Sequence, residues 1–297
     1  MMRVAVTGAR GRLGSALLAA FGERGIDARP WTRPGYDLDD PSAPIRSVQR
    51  DEPQIVVHAA AWTDVDGCAR EPDLAFRRNA EATGSLALVC AARGISLVVV
   101  STNEVFDGER RSGAYAPSDP PRAINPYGAS KLRGEALAAK AYERAVGGAA
   151  LGIARTAWLF GPPGNDFPEK IVRAARRAMS SGQSLRVVSD EIGSPSYTVD
   201  VADGIAQLVE TGCFGGIHHV VNGGAVSRAE WAEAILADVQ VPVPIEQVSV
   251  TSWPRPSTPP LRAPLEQTEL PLGPLRSWRE ATSSYVRARE LEGVALG

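Results

Sequence analysis

Lysine is almost absent from this chain. Lys131, Lys140 and Lys170 are its only lysines among 32 basic residues. Arginine is therefore the habitual cation, and a lysine beside reactive groups stands out as a compact charge that can tune a neighbouring phenol. Cysteine is scarce too. Cys68, Cys90 and Cys213 are odd in number and scattered, with no C-x2-C. That argues against disulfides and a zinc site, and fits reduced thiols in a cytosolic protein. No apolar run is long enough to span a membrane, because the longest, Leu86 to Val100, is broken by Arg93 and Gly94 and reads as helix then strand. The N-terminus lacks a signal-peptide layout. A strong charge of either sign is missing as well. At a net −2, with no basic stripe interleaved with aromatics, nucleic acid is not an expected partner. No internal repeat is evident.

What is present is ordinary globular material. The 297 residues are 44% hydrophobic and 22% charged, enough for one large domain or two smaller ones. Apolar strands are predicted at Val4–Val6, Asp27–Trp31, Ile55–Ala59, Leu97–Ser101 and Ile153–Ala157. Helical patterns lie between them at Ser15–Arg24, Ile45–Arg50, Leu74–Arg93 and Pro126–Val146. Buried strands alternating with helices predict an α/β fold with a doubly wound parallel sheet. Its ligands belong outside the carboxyl ends of the strands.

The pattern loosens after Ala157. A basic helix at Pro168–Ser180, strand Leu185–Val188, helix Val199–Glu210, strand Ile217–Val221 and helix Arg228–Asp238 precede a proline-rich tract, Pro242 to Pro274. Trp253, Leu261, Leu265, Leu270, Leu272 and Trp278 are read as anchors that order this tract, since disordered segments are poorer in such residues. The expected division is 1–157 as the sheet domain, with 195–223 returning to it, and 158–194 with 224–297 as a smaller lobe.

Two stretches carry chemistry. Thr7-Gly8-Ala9-Arg10-Gly11-Arg12-Leu13-Gly14 joins the first strand to the first helix. Gly8 permits a tight turn, Gly11 lets backbone approach a pyrophosphate, and Gly14 permits close packing of helix on sheet. The spacing is G-x2-G-x2-G, not the general G-x-G-x2-G. The second stretch is Asn125-Pro126-Tyr127-Gly128-Ala129-Ser130-Lys131. Pro126 suits a helix start, and Tyr127 and Lys131 then project from one face, one turn apart. An ammonium beside a phenol is expected to ease its ionisation, so that the pair can move a proton near neutral pH.

Together these stretches resemble an extended short-chain dehydrogenase/reductase of Rossmann type, and more narrowly the dTDP-4-dehydrorhamnose reductase family. The likeness runs through Val6–Gly14, His58–Asp66, Asn79-Ala80, Val100–Thr102, Val105–Gly108, Tyr127 with Lys131, Arg155–Gly161, Asp190 with Gly193–Ser196, and Arg255-Pro256. It implies NAD(P)H-dependent reduction of the C4 keto group of a nucleotide-linked 4-keto-6-deoxy sugar. In that reading Tyr127 donates a proton, Lys131 lowers its pKa and holds the ribose, and Thr102 hydrogen-bonds the carbonyl oxygen. Gly8, Arg10, Gly11, Arg12, Leu13, Arg33, Asp37, Leu38, Ala59, Ala60, Ala61 and Ser101 fall where the cofactor is held, with Asp37-Leu38 matching a segment after the third strand. Thr63, Val65, Asn103, Glu104, Trp158 and Arg255 fall where the substrate is held, although Trp158 reads equally well as core. A homodimer is a further expectation.

The chain departs from the family at Ser101-Thr102-Asn103-Glu104, where Ser-Thr-Asp-Tyr is usual. Thr-Asn-Glu also resembles the Thr-Asp-Glu of sugar-nucleotide dehydratases. Asn103 has no proton to give as an acid, which disfavours dehydration. Glu104 is left to hydrogen-bond a sugar hydroxyl or to act as a base in an epimerising variant. After the second strand come Trp31-Thr32-Arg33, with no carboxylate for a ribose 2′-hydroxyl. Arg33 and Arg10 therefore favour NADPH, with NADH as the alternative. Some family members hold magnesium at a subunit contact, but Ser15 stands at the acidic position, and no metal is expected. The competing readings are an epimerase or dehydratase of the same superfamily, and a non-catalytic NADP-binding subunit like that of methionine adenosyltransferase.

Overall fold

Six runs of the chain pair into one sheet whose every contact is parallel. The structure, a computed structural model, describes residues 2–291. The strands are β1 (Arg3–Thr7), β2 (Asp27–Trp31), β3 (Ile55–His58), β4 (Ser96–Thr102), β5 (Leu151–Thr156) and β6 (Gly216–His219), in the order β2-β1-β3-β4-β5-β6. The helices labelled here are α1 (Arg12–Glu23), α2 (Ala43–Asp51), α3 (Val65–Arg70), α4 (Ala82–Ala92), α5 (Pro126–Tyr142), α6 (Phe167–Ser180), α7 (Thr198–Glu210), α8 (Arg228–Asp238) and α9 (Trp278–Leu291). This is the doubly wound α/β class read from the sequence. The chain turns one way from β1 to β2 and the other way to β3, so β1/β3 is the switch point where such sheets bind ligands.

Alternation along β1 explains the two layers. Val4 and Val6 point to one face, into a core with Leu17 and Phe21 of α1 and Ile205 and Val209 of α7. Ala5 points to the other, into a core with Val48 of α2, Leu86 of α4 and Ala138 of α5. A third core fills a smaller lobe, where Phe160, Val172, Trp231, Ile235 and Tyr285 are buried together. Its aromatic rings stack, as Phe167 does on Trp231 with centroids 4.6 Å apart.

Three predicted elements keep their bounds: Asp27–Trp31, Leu185–Val188 and Arg228–Asp238. The expected helix Leu74–Arg93 is instead a short turn at Pro72–Ala75, a π-helix at Phe76–Glu81 and then α4. Two helices, α3 and α9, had no counterpart in the reading. The proline-rich tract is ordered, but partly by other means than expected. Ile245–Val248 pairs with Leu185–Val188, and the Tyr115 backbone bonds to both Pro264 and Glu266 at 2.8 Å. Trp253, Leu261 and Leu272 are not anchors, being 57%, 43% and 68% exposed. Leu265 and Leu270 are buried. Leu270 and Leu275 join the α1/α7 core, so this part of 224–297 packs with the sheet and not with the smaller lobe. Among the described residues, no helix is long and apolar enough to cross a membrane.

Candidate active site

The glycine turn after β1 is built by close approach. Gly8 has φ +64°, and a Cβ there would meet Ala60 Cα at 2.9 Å. The Thr7 hydroxyl accepts from Ala60 N at 3.0 Å and lies 2.8 Å from His58 Nδ1. Burial pushes the His58 pKa down to about 3, so a neutral imidazole ties Thr7 to Thr83 (3.1 Å). A Cβ on Gly14 would sit 2.2 Å from the Gly8 carbonyl oxygen, whereas one on Gly11 would meet only that oxygen, at 3.1 Å. Gly11 caps α1, no side chain bonds the cap, and no acid lies in the first turn. The leading N–H groups are thus left for an anion. These residues fit a dinucleotide pyrophosphate.

The other expected cofactor residues divide. Ala59–Ala61 follow β3 directly against this turn. Leu13 is core, and the Arg12 guanidinium donates to Gly161 O (3.1 Å) and Gly164 O (2.7 Å). Only the backbone of these two faces the turn. Ser101 donates to Glu135 Oε1 at 2.5 Å, so its hydroxyl is engaged by a carboxylate and not by a ligand. Asp37 and Leu38 lie between β2 and α2, one connection earlier than the segment they were matched to. Arg10 and Arg33 line a cavity of about 400 Å³ past the end of β2, with Thr32 and Arg50. Its one carboxylate, Asp51, is held by Arg50 and by the Trp31 indole at 2.7 Å. Arg10 and Arg33 have no ion pair among the described residues.

Asn125 starts the reactive helix. Its side-chain oxygen accepts from Gly128 N at 2.8 Å, with Pro126 following. Tyr127, Lys131 and Glu135 then share one face of α5 at four-residue intervals, and all are buried. Asn79, inside the π-helix, clamps the loop after β3 through Trp62 N (2.8 Å) and Trp62 O (3.0 Å). It also donates to Ser130 at 3.1 Å, and Ser130 bonds the Tyr127 carbonyl at 2.7 Å. A π-turn thereby couples the β3 loop to the helix that carries Tyr127.

The electrostatics correct one expectation. Burial foremost, and Glu104 next, raise the Tyr127 pKa, and only a hydrogen bond with Thr102 opposes them. The phenol is held protonated, and Lys131 is not what sets it. Burial pushes Lys131 itself down to about 8, with Glu135 partly offsetting. Desolvation outweighs the attraction that spacing alone predicts. The Thr102 hydroxyl also accepts from Glu104 N at 3.2 Å.

On the substrate side, Asn103 is buried and donates to Ala263 O at 3.3 Å. Its carboxamide is hydrogen-bonded within the protein, with its oxygen 3.4 Å from the Thr102 hydroxyl. Glu104 keeps one carboxylate oxygen on Asn125 at 2.5 Å. Val65 packs beside Tyr127, and Thr63 is exposed. Trp158 follows β5 with φ +40°, a strained conformation for a bulky residue. It lies against Gly193, beneath the Arg228 guanidinium, 3.4 Å above its ring. Arg255 pairs with Asp66 at 3.0 Å. The sequence reading missed Glu135, one turn beyond Lys131 and findable by the same periodicity, and Arg228, for which the sequence carries no signal.

A parallel sheet with a phosphate cradle at its switch point, and a protonated tyrosine one turn before a lysine, is the arrangement of an extended short-chain dehydrogenase/reductase. Within that class the chain belongs to the family described as the RmlD substrate binding domain, which matches residues 2–290. The dTDP-4-dehydrorhamnose reductase of Mycobacterium tuberculosis is 34% identical over 294 residues, covering 96% of this chain and 93% of that protein. A crystal structure of a dTDP-4-dehydrorhamnose reductase from Clostridium acetobutylicum superposes with a TM-score of 0.89 at 27% identity, covering 97% and 100% of the two chains. The Bacillus anthracis enzyme, solved in complex with NADP, gives 0.86 at 31% identity, covering 97% and 99%.

Proposed function

We propose that this protein is an NADPH-dependent reductase of the C4 keto group of a nucleotide-linked 4-keto-6-deoxy sugar, of the dTDP-4-dehydrorhamnose reductase kind and cytoplasmic. The observation that carries it is the protonated phenol of Tyr127, buried against Thr102 at the ligand end of the sheet. Bound NADPH would supply the hydride. Charge then grows on the C4 oxygen, where Thr102 donates a hydrogen bond and Tyr127 delivers its proton. Lys131, which donates no hydrogen bond to a side chain or backbone group among the described residues, holds the ribose hydroxyls. Residues 1–157 with 195–223 hold the cofactor, and 158–194 with 224–297 contribute most of the substrate side. The test is NADPH oxidation, followed at 340 nm, against a panel of dTDP-4-keto-6-deoxy sugars. Tight NADPH binding with no oxidation by any of them would sink this reading in favour of an epimerase or dehydratase.

The choice of NADPH rests on Arg10 and Arg33 in a cavity without a free carboxylate. Arg33→Ala is expected to raise KM for NADPH about tenfold or more and to leave KM for NADH nearly unchanged, as loss of a charged hydrogen bond to a 2′-phosphate requires. Equal changes for both cofactors would refute that placement.

Lys131 also sets a pH limit. Its ammonium is intact below about pH 8 and loses its proton as pH rises through that value. The kcat/KM for reduction should fall above about pH 8. A profile flat to pH 10 would remove Lys131 from the working site.

A further inference from the structure

Glu104 is held rigidly beside the proton donor, yet only one of its carboxylate oxygens is used. The residue follows β4 in a short turn, Asn103–Val105, begun by the Glu104 N–H on the Thr102 hydroxyl at 3.2 Å. That turn lies against the start of α5. A Cβ on Gly128 would meet the Glu104 carbonyl oxygen at 2.0 Å, so the glycine after Tyr127 is what lets the two backbones touch. Asn125 anchors the side chain. Its Oδ1 accepts from Gly128 N at 2.8 Å, while its Nδ2 donates to Glu104 Oε2 at 2.5 Å and to Thr258 O at 3.0 Å. Both amide hydrogens are thus engaged, and the carboxylate is tied to the residue that starts the helix of Tyr127.

The other oxygen, Oε1, has no hydrogen bond and no ion pair among the described residues. The neighbouring cations Arg255 and Arg228 pair instead with Asp66 at 3.0 Å and Glu191 at 3.3 Å. Burial is the largest influence on the Glu104 pKa and raises it, against the Asn125 bond and the two arginines. A half-buried carboxylate with a single side-chain donor is short of hydrogen bonds. Being acceptor-only when ionised, it calls for a donor from the ligand.

Sugar chemistry narrows the choice of donor. Thr102 and Tyr127 bracket the C4 oxygen in the reading above, and Glu104 is an electrostatic neighbour of Tyr127. Two carbons flank C4 in a 4-keto-6-deoxy sugar. C5 bears a methyl group and the ring oxygen, and offers no donor. C3 bears a hydroxyl. We propose that Glu104 is a specificity residue whose free oxygen accepts a hydrogen bond from the C3 hydroxyl, so that the protein selects sugars with a donor at C3 over 3-deoxy sugars. A tyrosine at this position could donate as well as accept, whereas a carboxylate only accepts. The proposal rests on the sugar-nucleotide reading above, and gives Glu104 the role of acceptor and not of base.

The experiment measures binding to the NADPH-loaded protein by titration calorimetry. The ligands are dTDP-6-deoxyhexoses matched except at C3, which carries hydroxyl, hydrogen or fluorine. Fluorine keeps nearly the size of the hydroxyl and removes the donor. Wild type is expected to bind the hydroxyl sugar about 10- to 100-fold more tightly than the other two. Glu104→Gln leaves Asn125 an oxygen to bond, so the start of α5 survives, and it should bring the three ligands within a few fold of one another. Glu104→Ala should do the same. A wild type that binds all three alike, or none of them, overturns the proposal. So does a Glu104→Gln variant that keeps the wild-type ratio, or one that weakens all three equally, the mark of a merely structural role. Exchange of solvent deuterium into C3 or C5 of the 4-keto sugar, catalysed by wild type and lost in Glu104→Gln, would make Glu104 a base and overturn it too. The calorimetric ligands carry no C4 ketone. A protein that shows the C3 preference yet oxidises no NADPH therefore loses the assigned reaction and keeps this role for Glu104.

Discussion

Tyr127→Phe is expected to lower kcat for sugar reduction by about 10²- to 10⁴-fold, the range for loss of a positioned acid, with NADPH affinity within a few fold of wild type. The substitution removes one oxygen and little volume from a residue that is 9% exposed, so packing survives. Lys131 and the glycine cradle are untouched. What disappears is the proton that must reach the C4 oxygen as the hydride arrives. The phenol suits that task in this direction of reaction because burial raises its pKa and keeps the proton on the enzyme until charge develops on substrate. Single-turnover kinetics with saturating NADPH separates the chemical step from binding. Turnover like wild type in this variant would remove Tyr127 from the mechanism.

The second large effect is on stability. Glu135 and Arg155 form a buried pair with Nε–Oε1 3.1 Å and NH2–Oε2 2.7 Å, and Arg155 is 1% exposed. Ser101 gives Glu135 a third bond, 2.5 Å long. Arg155→Met would leave a buried carboxylate without its counterion, which costs about 3–5 kcal/mol. For a chain of this size that is a fall in Tm of roughly 5–8 °C. The double variant Glu135→Leu/Arg155→Met should lose less than the two singles summed, since neither member of this pair then outlives the other. Calorimetric melts of the four proteins decide it. A single-variant Tm within 2 °C of wild type, or strict additivity, would show that the pair is not coupled. The pair also matters to the site, because Glu135 lies one turn beyond Lys131 and is the charge that favours its ammonium.

Much of the site was legible because its chemistry is local in sequence. Tyr127 and Lys131 needed only helical periodicity and a start signal at Asn125-Pro126. The glycine turn needed only a strand before it and a helix after. Periodicity misled where a side chain elsewhere intervened. Asn79 binds both backbone groups of Trp62, and the expected helix Leu74–Arg93 widens into a π-turn at that residue. Asn103 could not be aimed from sequence, because its partner is Ala263, 160 residues away. Proline-tract anchors were misread for the same reason: Leu265 and Leu270 find a core to enter and Leu272 does not.

The sequence by itself determined the parallel sheet and the pairing of phenol with ammonium, since alternating burial and one-turn spacing are properties of short segments. Only the tertiary structure decided that the phenol is neutral, that Lys131 is weakened, and that Arg228 lies over Trp158. Charge states and donor directions depend on which groups packing removes from water and which it brings within reach, and those partners lie far along the chain.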